Sequence, residues 1–175
     1  MVRFRTVLMS CLTLISVLAL GLSMVSAQQA TEMPAPKVER PLTLTYQSTP
    51  TADPTLDNGI FQLSATGDLS GDLTGTYTQN ITQLCGCVTE NPLSPIDNLF
   101  TIKTADGMLM GYIVGSYYQA AADSASADYV GHGQILSVSG NYADLYLADV
   151  YLNATVKLVD GNGVSDAGTL TITPG

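Results

Sequence analysis

Two copies of one glycine pattern constrain this chain more than any other feature. Gly67-x-Leu69-x-Gly71-x-Leu73-x-Gly75-x-Tyr77 recurs 40 positions later as Gly107-x-Leu109-x-Gly111-x-Ile113-x-Gly115-x-Tyr117. A looser echo runs through Gly133-x-Ile135 and Gly140-x-Tyr142. Strand side chains alternate faces with period two, so each copy places its named residues on one face, glycine alternating with something large. Small closed barrels fill their interiors in this way, and glycine lets a tilted strand coil tightly enough for closure. Leu69, Leu73, Tyr77, Leu109, Ile113, Tyr117 and Tyr142 are therefore the expected barrel-lining or ligand-facing residues. The three tyrosines fit either a plugged barrel end or a pocket mouth, where an apolar ring bearing a hydroxyl helps a ligand dock.

The opposite faces of the two copies differ. Asp68, Ser70, Asp72, Thr74, Thr76 and Thr78 make the first one wet, whereas Met108, Met110, Tyr112 and Val114 make the second one apolar. A strand that is apolar on both faces is covered on both, and these four residues are expected at a subunit interface or under a terminal segment. Downstream, Tyr146, Ala148, Val150, Leu152, Ala154, Val156 and Leu158 alternate with polar residues. They lead into the turn signal Asp160-Gly-Asn-Gly163 and a return strand over 168–173. No window carries a long amphipathic helix; residues 120–127 (AAADSASA) fit a helical turn or a surface loop. The expected fold is all-β: a single small antiparallel β-barrel of about eight strands.

Residues 1–27 lie apart from that grammar. Arg3 and Arg5 precede an uncharged apolar stretch from Val7 to about Leu22, and Val25-Ser26-Ala27 offers small residues for cleavage, the layout of a signal peptide. An uncleaved anchor is the alternative, since such a run is about long enough to span a bilayer. Residues 28–40, with Pro34 and Pro36, read as a flexible linker, and 41–175 as the barrel domain. The chain is then expected to be secreted or periplasmic, with no membrane span after leader cleavage. Losing Arg3 and Arg5 leaves four basic residues against 15 acids, so the formal charge deepens from −9 to −11. That balance excludes the basic footprint nucleic-acid binding requires.

Few residues offer chemistry. Cys85-Gly86-Cys87 fits a small local disulfide, with free, metal-linked or redox-active thiols as alternatives. His132, the only histidine, stands between two glycines just before an expected strand, with no Gly-x-Ser-x-Gly elbow to serve. Asp68 and Asp72 share a strand face but lie too far apart to act as a carboxylate pair. Asp160, Asn162 and Asp166 have oxygen-ligand spacing faintly like a calcium loop, though Val164 fills one ligand position and a plain hairpin turn explains the same residues. Asn80-Ile-Thr82 and Asn153-Ala-Thr155 match the N-glycosylation pattern. No catalytic residue and no cofactor is assigned.

The run FQLSATGDLSGDLTGTY, then GHGQILSVSGNYADL, then a terminal hairpin resembles the allene oxide cyclase barrel-like superfamily over 42–173. That group includes plant allene oxide cyclases, dirigent-type proteins and secreted bacterial barrels. The resemblance implies an eight-stranded barrel and a homo-oligomer, often a trimer. The buried glutamate of the cyclases does not carry over, because the only glutamate within the domain is Glu90, in a Pro-flanked loop, and no motif here places the dirigent-type aspartates. The expected function is an exported, non-catalytic binding or structural barrel that self-associates. The alternatives are an isomerase or cyclase acting on an apolar small molecule in the barrel, and a thiol redox or metal protein using Cys85 and Cys87.

Overall fold

The structure is a computed structural model that describes residues 38–84, 93–121, 123–159 and 162–175. The leader, most of the linker, Cys85, Cys87, Glu90 and Asp160 fall outside the described residues, as does the side chain of Asn162. The described residues form nine strands: β1 (Leu42–Pro50), β2 (Thr55–Asp57), β3 (Ile60–Gly71), β4 (Gly75–Leu84), β5 (Leu93–Thr104), β6 (Gly107–Tyr118), β7 (Ser126–Gly140), β8 (Asp149–Val159) and β9 (Asn162–Thr173). Each of β3 to β9 pairs antiparallel with its sequence neighbour. β1 closes the circle by pairing with β9 on one side and β3 on the other. The result is a closed eight-stranded antiparallel barrel, with β2 an extra strand beside the start of β3. Among the described residues the only helical element is a short 3-10 turn at Ala143–Leu145.

The alternation in the sequence becomes the inside and outside of this barrel. Along β1, Leu42, Leu44, Tyr46 and Ser48 are buried while the residues between them are exposed. Interior glycines make seats for aromatic rings on neighbouring strands. A Cβ at Gly111 would stand 2.6 Å from the ring of Phe100, one at Gly115 2.9 Å from Tyr129, and one at Gly168 2.9 Å from Tyr46. Backbone approach is closest at Gly133, where a Cβ would meet the Tyr112 carbonyl oxygen at 1.7 Å. The large-and-small pattern is thus a packing device between strands, as barrel closure requires.

Three expectations need correction. The first glycine copy is not one strand: β3 ends at Gly71, whose φ of +110° suits glycine, and β4 starts at Gly75, so the copy folds over a hairpin. The second copy is one strand, β6, with a bulge where Met110 meets Gly111. The return strand is longer than 168–173 because β9 begins at Asn162. Tyr146 does not join the inner face of β8. It follows the 3-10 turn, is 56% exposed, and precedes Leu147 in a left-handed conformation, which breaks the alternation.

The two ends of the barrel differ. At one end the turns joining β3 to β4, β5 to β6 and β7 to β8 gather over Leu44, Ile102, Leu109, Leu145, Val150 and Ile172, all fully buried. Tyr142 plugs this end, its hydroxyl sharing a 2.6 Å hydrogen bond with Thr104 Oγ1. Arg40 clasps Asp72 at its rim at 2.6 Å, and the Thr43 amide donates to the same carboxylate at 2.8 Å. The opposite end, where β1, β4, β6 and β8 finish and β3, β5, β7 and β9 begin, is open among the described residues.

Candidate functional site

A pocket of about 200 Å³ enters the barrel from that open end. Phe61 and Leu63 of β3, Ile81 of β4, Ile96 of β5, Tyr117 of β6 and Val156 of β8 supply most of its apolar wall, and Gln83, Tyr129 and Asp166 supply polarity. The walls follow from period-two patterning carried to the strand ends. Where the plugged end has leucine and isoleucine on facing strands, the open end has a sparser set with small residues such as Ala65, Gly163 and Ser165, and space remains between them. An eight-stranded barrel has an interior wide enough to be filled by side chains or to leave a small cavity, and here one end is filled and the other keeps a pocket.

Between the packed end and the pocket lies a buried polar layer. Asp166 of β9 accepts hydrogen bonds from the hydroxyl of Tyr46 at 2.7 Å, from the hydroxyl of Ser48, and from Gln79 Nε2 at 2.8 Å. Gln79 Nε2 also donates to Ser48 Oγ at 2.9 Å, and Asn98 Nδ2 donates to Gln79 Oε1 at 2.9 Å. The layer therefore joins β1, β4, β5 and β9 across the lumen, and Asp166 is the member that also lines the pocket. Two atoms stand apart: the Tyr129 hydroxyl, on the pocket wall, and Asn98 Oδ1 are buried without a well-formed hydrogen bond, the Asn98 side chain being the neighbour of that hydroxyl.

A buried carboxylate is costly unless its lone pairs are filled or a cation stands beside it. Here hydrogen bonds do that work. None of the described basic residues enters the interior: Arg40 pairs with Asp72, Lys103 and Lys157 are exposed, and His132 lies on the outer face. Burial pushes the phenols of Tyr46, Tyr77 and Tyr129 above their ordinary range, and the Asp166 charge pushes each further the same way. A neighbouring Asn98 amide offsets part of the rise at Tyr77 and Tyr129. These tyrosines are neutral hydrogen-bonding groups, not phenolate bases.

The glycine-pattern residues divide between the two ends. Leu69, Tyr77, Leu109 and Ile113 are buried inside, and Leu73 packs half-buried against the same core. Of the three tyrosines, Tyr117 lines the pocket, Tyr142 plugs the far end, and Tyr77 lies fully buried between them, 4.3 Å from the Tyr46 ring. On the outer face of β6, Met108 and Tyr112 are half-buried, while Met110 and Val114 are 42% and 51% exposed. Asp166 does not face a turn: its carboxylate is enclosed by Tyr46, Ser48 and Gln79, which gives it an interior role in place of a loop ligand. His132 lies within β7, its ring 4.6 Å from that of Tyr151 and its Nε2 3.5 Å from Asp149. Among the described residues no three His, Cys, Asp or Glu side chains gather to hold a metal.

The polar layer is what sequence reasoning missed, although the signal was present. Counting back in twos from the buried Ile172 and Leu170 passes Gly168 and arrives at Asp166. Counting forward from Leu42 arrives at Ser48, and two steps beyond Tyr77 stands Gln79.

The site thus belongs to a closed eight-stranded antiparallel barrel with one plugged end and one pocketed end. Comparison with protein-family models, with curated proteins and with solved structures found no match.

Proposed function

We propose that this chain is an exported barrel that binds one small, mostly apolar molecule in the open-end pocket, with a polar group of the ligand resting against Asp166 and Tyr129. One observation carries this: an apolar cavity whose inner surface holds a hydrogen-bonded carboxylate and a buried phenol hydroxyl. Ligand sites are commonly apolar clefts with a few convergent polar groups, and the mouth of a barrel is a frequent location. Export rests on the sequence of residues 1–27. An NMR titration of the purified barrel with octanol tests the binding. Saturable shifts centred on Phe61, Leu63, Ile81 and Val156 are expected, and the absence of saturable shifts at these residues would overturn it.

A second reading, isomerisation or cyclisation of the held molecule, is favoured by the carboxylate of Asp166 at the pocket wall. Its support is the acid itself, since proton transfer needs a group within hydrogen-bond reach of the reacting atom. Self-association belongs to the same proposal. Leu99, 60% exposed, pairs with Tyr112 across β5 and β6 beside Met110 and Val114, an apolar face of the kind buried between subunits. Sedimentation of the wild type against Val114→Glu reads it: an oligomer lost in the variant is expected, and a wild-type monomer would contradict it.

A further inference from the structure

We infer that the pocket selects a cation, namely a small apolar molecule ending in a primary ammonium group; this rests on the binding function proposed above. A carboxylate has about four lone-pair sites. At Asp166, Oδ2 accepts from Tyr46 and Gln79 and Oδ1 accepts from Ser48, which leaves one site of Oδ1 unfilled. The Tyr129 hydroxyl on the same pocket wall, with the Asn98 amide as its neighbour, has an O–H to donate as well as capacity to accept. The one charged group on the polar side of the pocket therefore keeps acceptor capacity. An ammonium offers three donors and no acceptor to that carboxylate, whereas a carboxylate ligand would set like charge against Asp166.

Charge favours the same choice. Asp166 has no cationic partner among the described residues, and the low-dielectric interior strengthens its attraction for a cation that reaches it. Phe61, Tyr117 and Tyr129 supply aromatic surface in the pocket, and ring faces attract ammonium groups. The chain as a whole is acidic, with a formal charge of −9, so its long-range field draws cations and repels anions.

Calorimetric titration of the wild-type protein with octylamine, octanol and octanoate at physiological salt tests the inference, together with competition between octanol and octylamine. Octylamine is expected to bind about tenfold or more tightly than octanol, since hydrogen bonds to charged groups exceed neutral ones by about that factor. Octanoate is expected to bind weakest, and octanol to displace octylamine. Asp166→Asn is expected to erase the preference for the amine. Equal or tighter binding of octanol than of octylamine would overturn the cation inference and leave the binding function standing. Octylamine that octanol cannot displace would place the amine on the acidic surface and overturn the inference too. No binding by any of the three would overturn both. The wild-type series decides the matter even where Asp166→Asn fails to fold.

Discussion

Tyr46 and Asp166 stand 120 positions apart in the chain and meet inside the barrel through a 2.7 Å hydrogen bond. The contact exists because β1 closes the barrel against β9, with Tyr46 opposite Gly168 and Ser48 opposite Asp166. Barrel closure and the polar layer are therefore one structural fact. The seam that completes the sheet also brings the donors to the buried carboxylate.

Removing a donor from that carboxylate leaves charge less well satisfied. Tyr46→Phe keeps the ring on Gly168 and deletes only the hydroxyl. A loss of about 1.5–3 kcal/mol is expected, the usual worth of a hydrogen bond to a charged group. Urea unfolding measures it, and a change below about 0.5 kcal/mol would show that the layer does not depend on this bond.

The buried phenols make the fold sensitive to alkali. Tyr46, Tyr77 and Tyr129 are held above their ordinary value of 10.0, chiefly by burial. The folded state therefore keeps protons that the unfolded chain releases, and stability falls as pH rises above about 10 and is undiminished below it. Phenolate absorbance followed alongside circular dichroism checks this. Tyr46, Tyr77 and Tyr129 are expected to ionise only as the strand signal disappears. Ionisation of all nine tyrosines with the fold intact would refute it.

Acid acts on the plugged end. Arg40 and the Thr43 amide hold the Asp72 carboxyl below its ordinary value of 3.8, so the clasp is complete above that value and is lost as pH falls through the lowered one. Because the pair is solvent-accessible, salt weakens it. An NMR titration of Asp72 is expected to show a depressed midpoint that moves toward normal in Arg40→Ala; an unchanged midpoint would mean the clasp does not form in solution.

Glycine positions differ sharply in tolerance. At Gly133 a Cβ would meet a backbone oxygen at 1.7 Å, whereas at Gly163 the nearest atom is a methyl of Val156 at 3.3 Å. Gly133→Ala is expected to cost several kcal/mol or prevent folding, with overpacking at about 1–3 kcal/mol as the lower bound. Gly163→Ala is expected to be near neutral. Comparable melting temperatures for the two variants would contradict the close approach of β6 and β7.

How much of this was legible depends on what each signal encodes. Period-two glycine spacing reports strand packing directly, so the barrel and the interior placement of Leu109 and Ile113 follow from the sequence. The hairpin inside the first copy was hidden, because Gly71-Asp72-Leu73-Thr74 continues the alternation through the turn and carries no Asn-Gly signal. Asp166 was hidden for another reason. Ser165-Asp166-Ala167-Gly168 looks like turn chemistry, and only the register of β9 against β1 reveals that it faces inward, beside partners supplied by distant strands. Local pattern encodes which face a residue takes; a polar network also needs the pairing of strands far apart in sequence.

The most direct test of the central claim uses the absence of tryptophan from the chain. Phe61→Trp would place a single reporter on the pocket wall. Titration with octanol is expected to shift its emission to the blue, saturably, and to lose that response when Val156→Trp is combined with Phe61→Tyr to fill the pocket from the opposite strand. An emission spectrum of Phe61→Trp that octanol leaves unchanged at saturation would contradict a ligand-binding barrel.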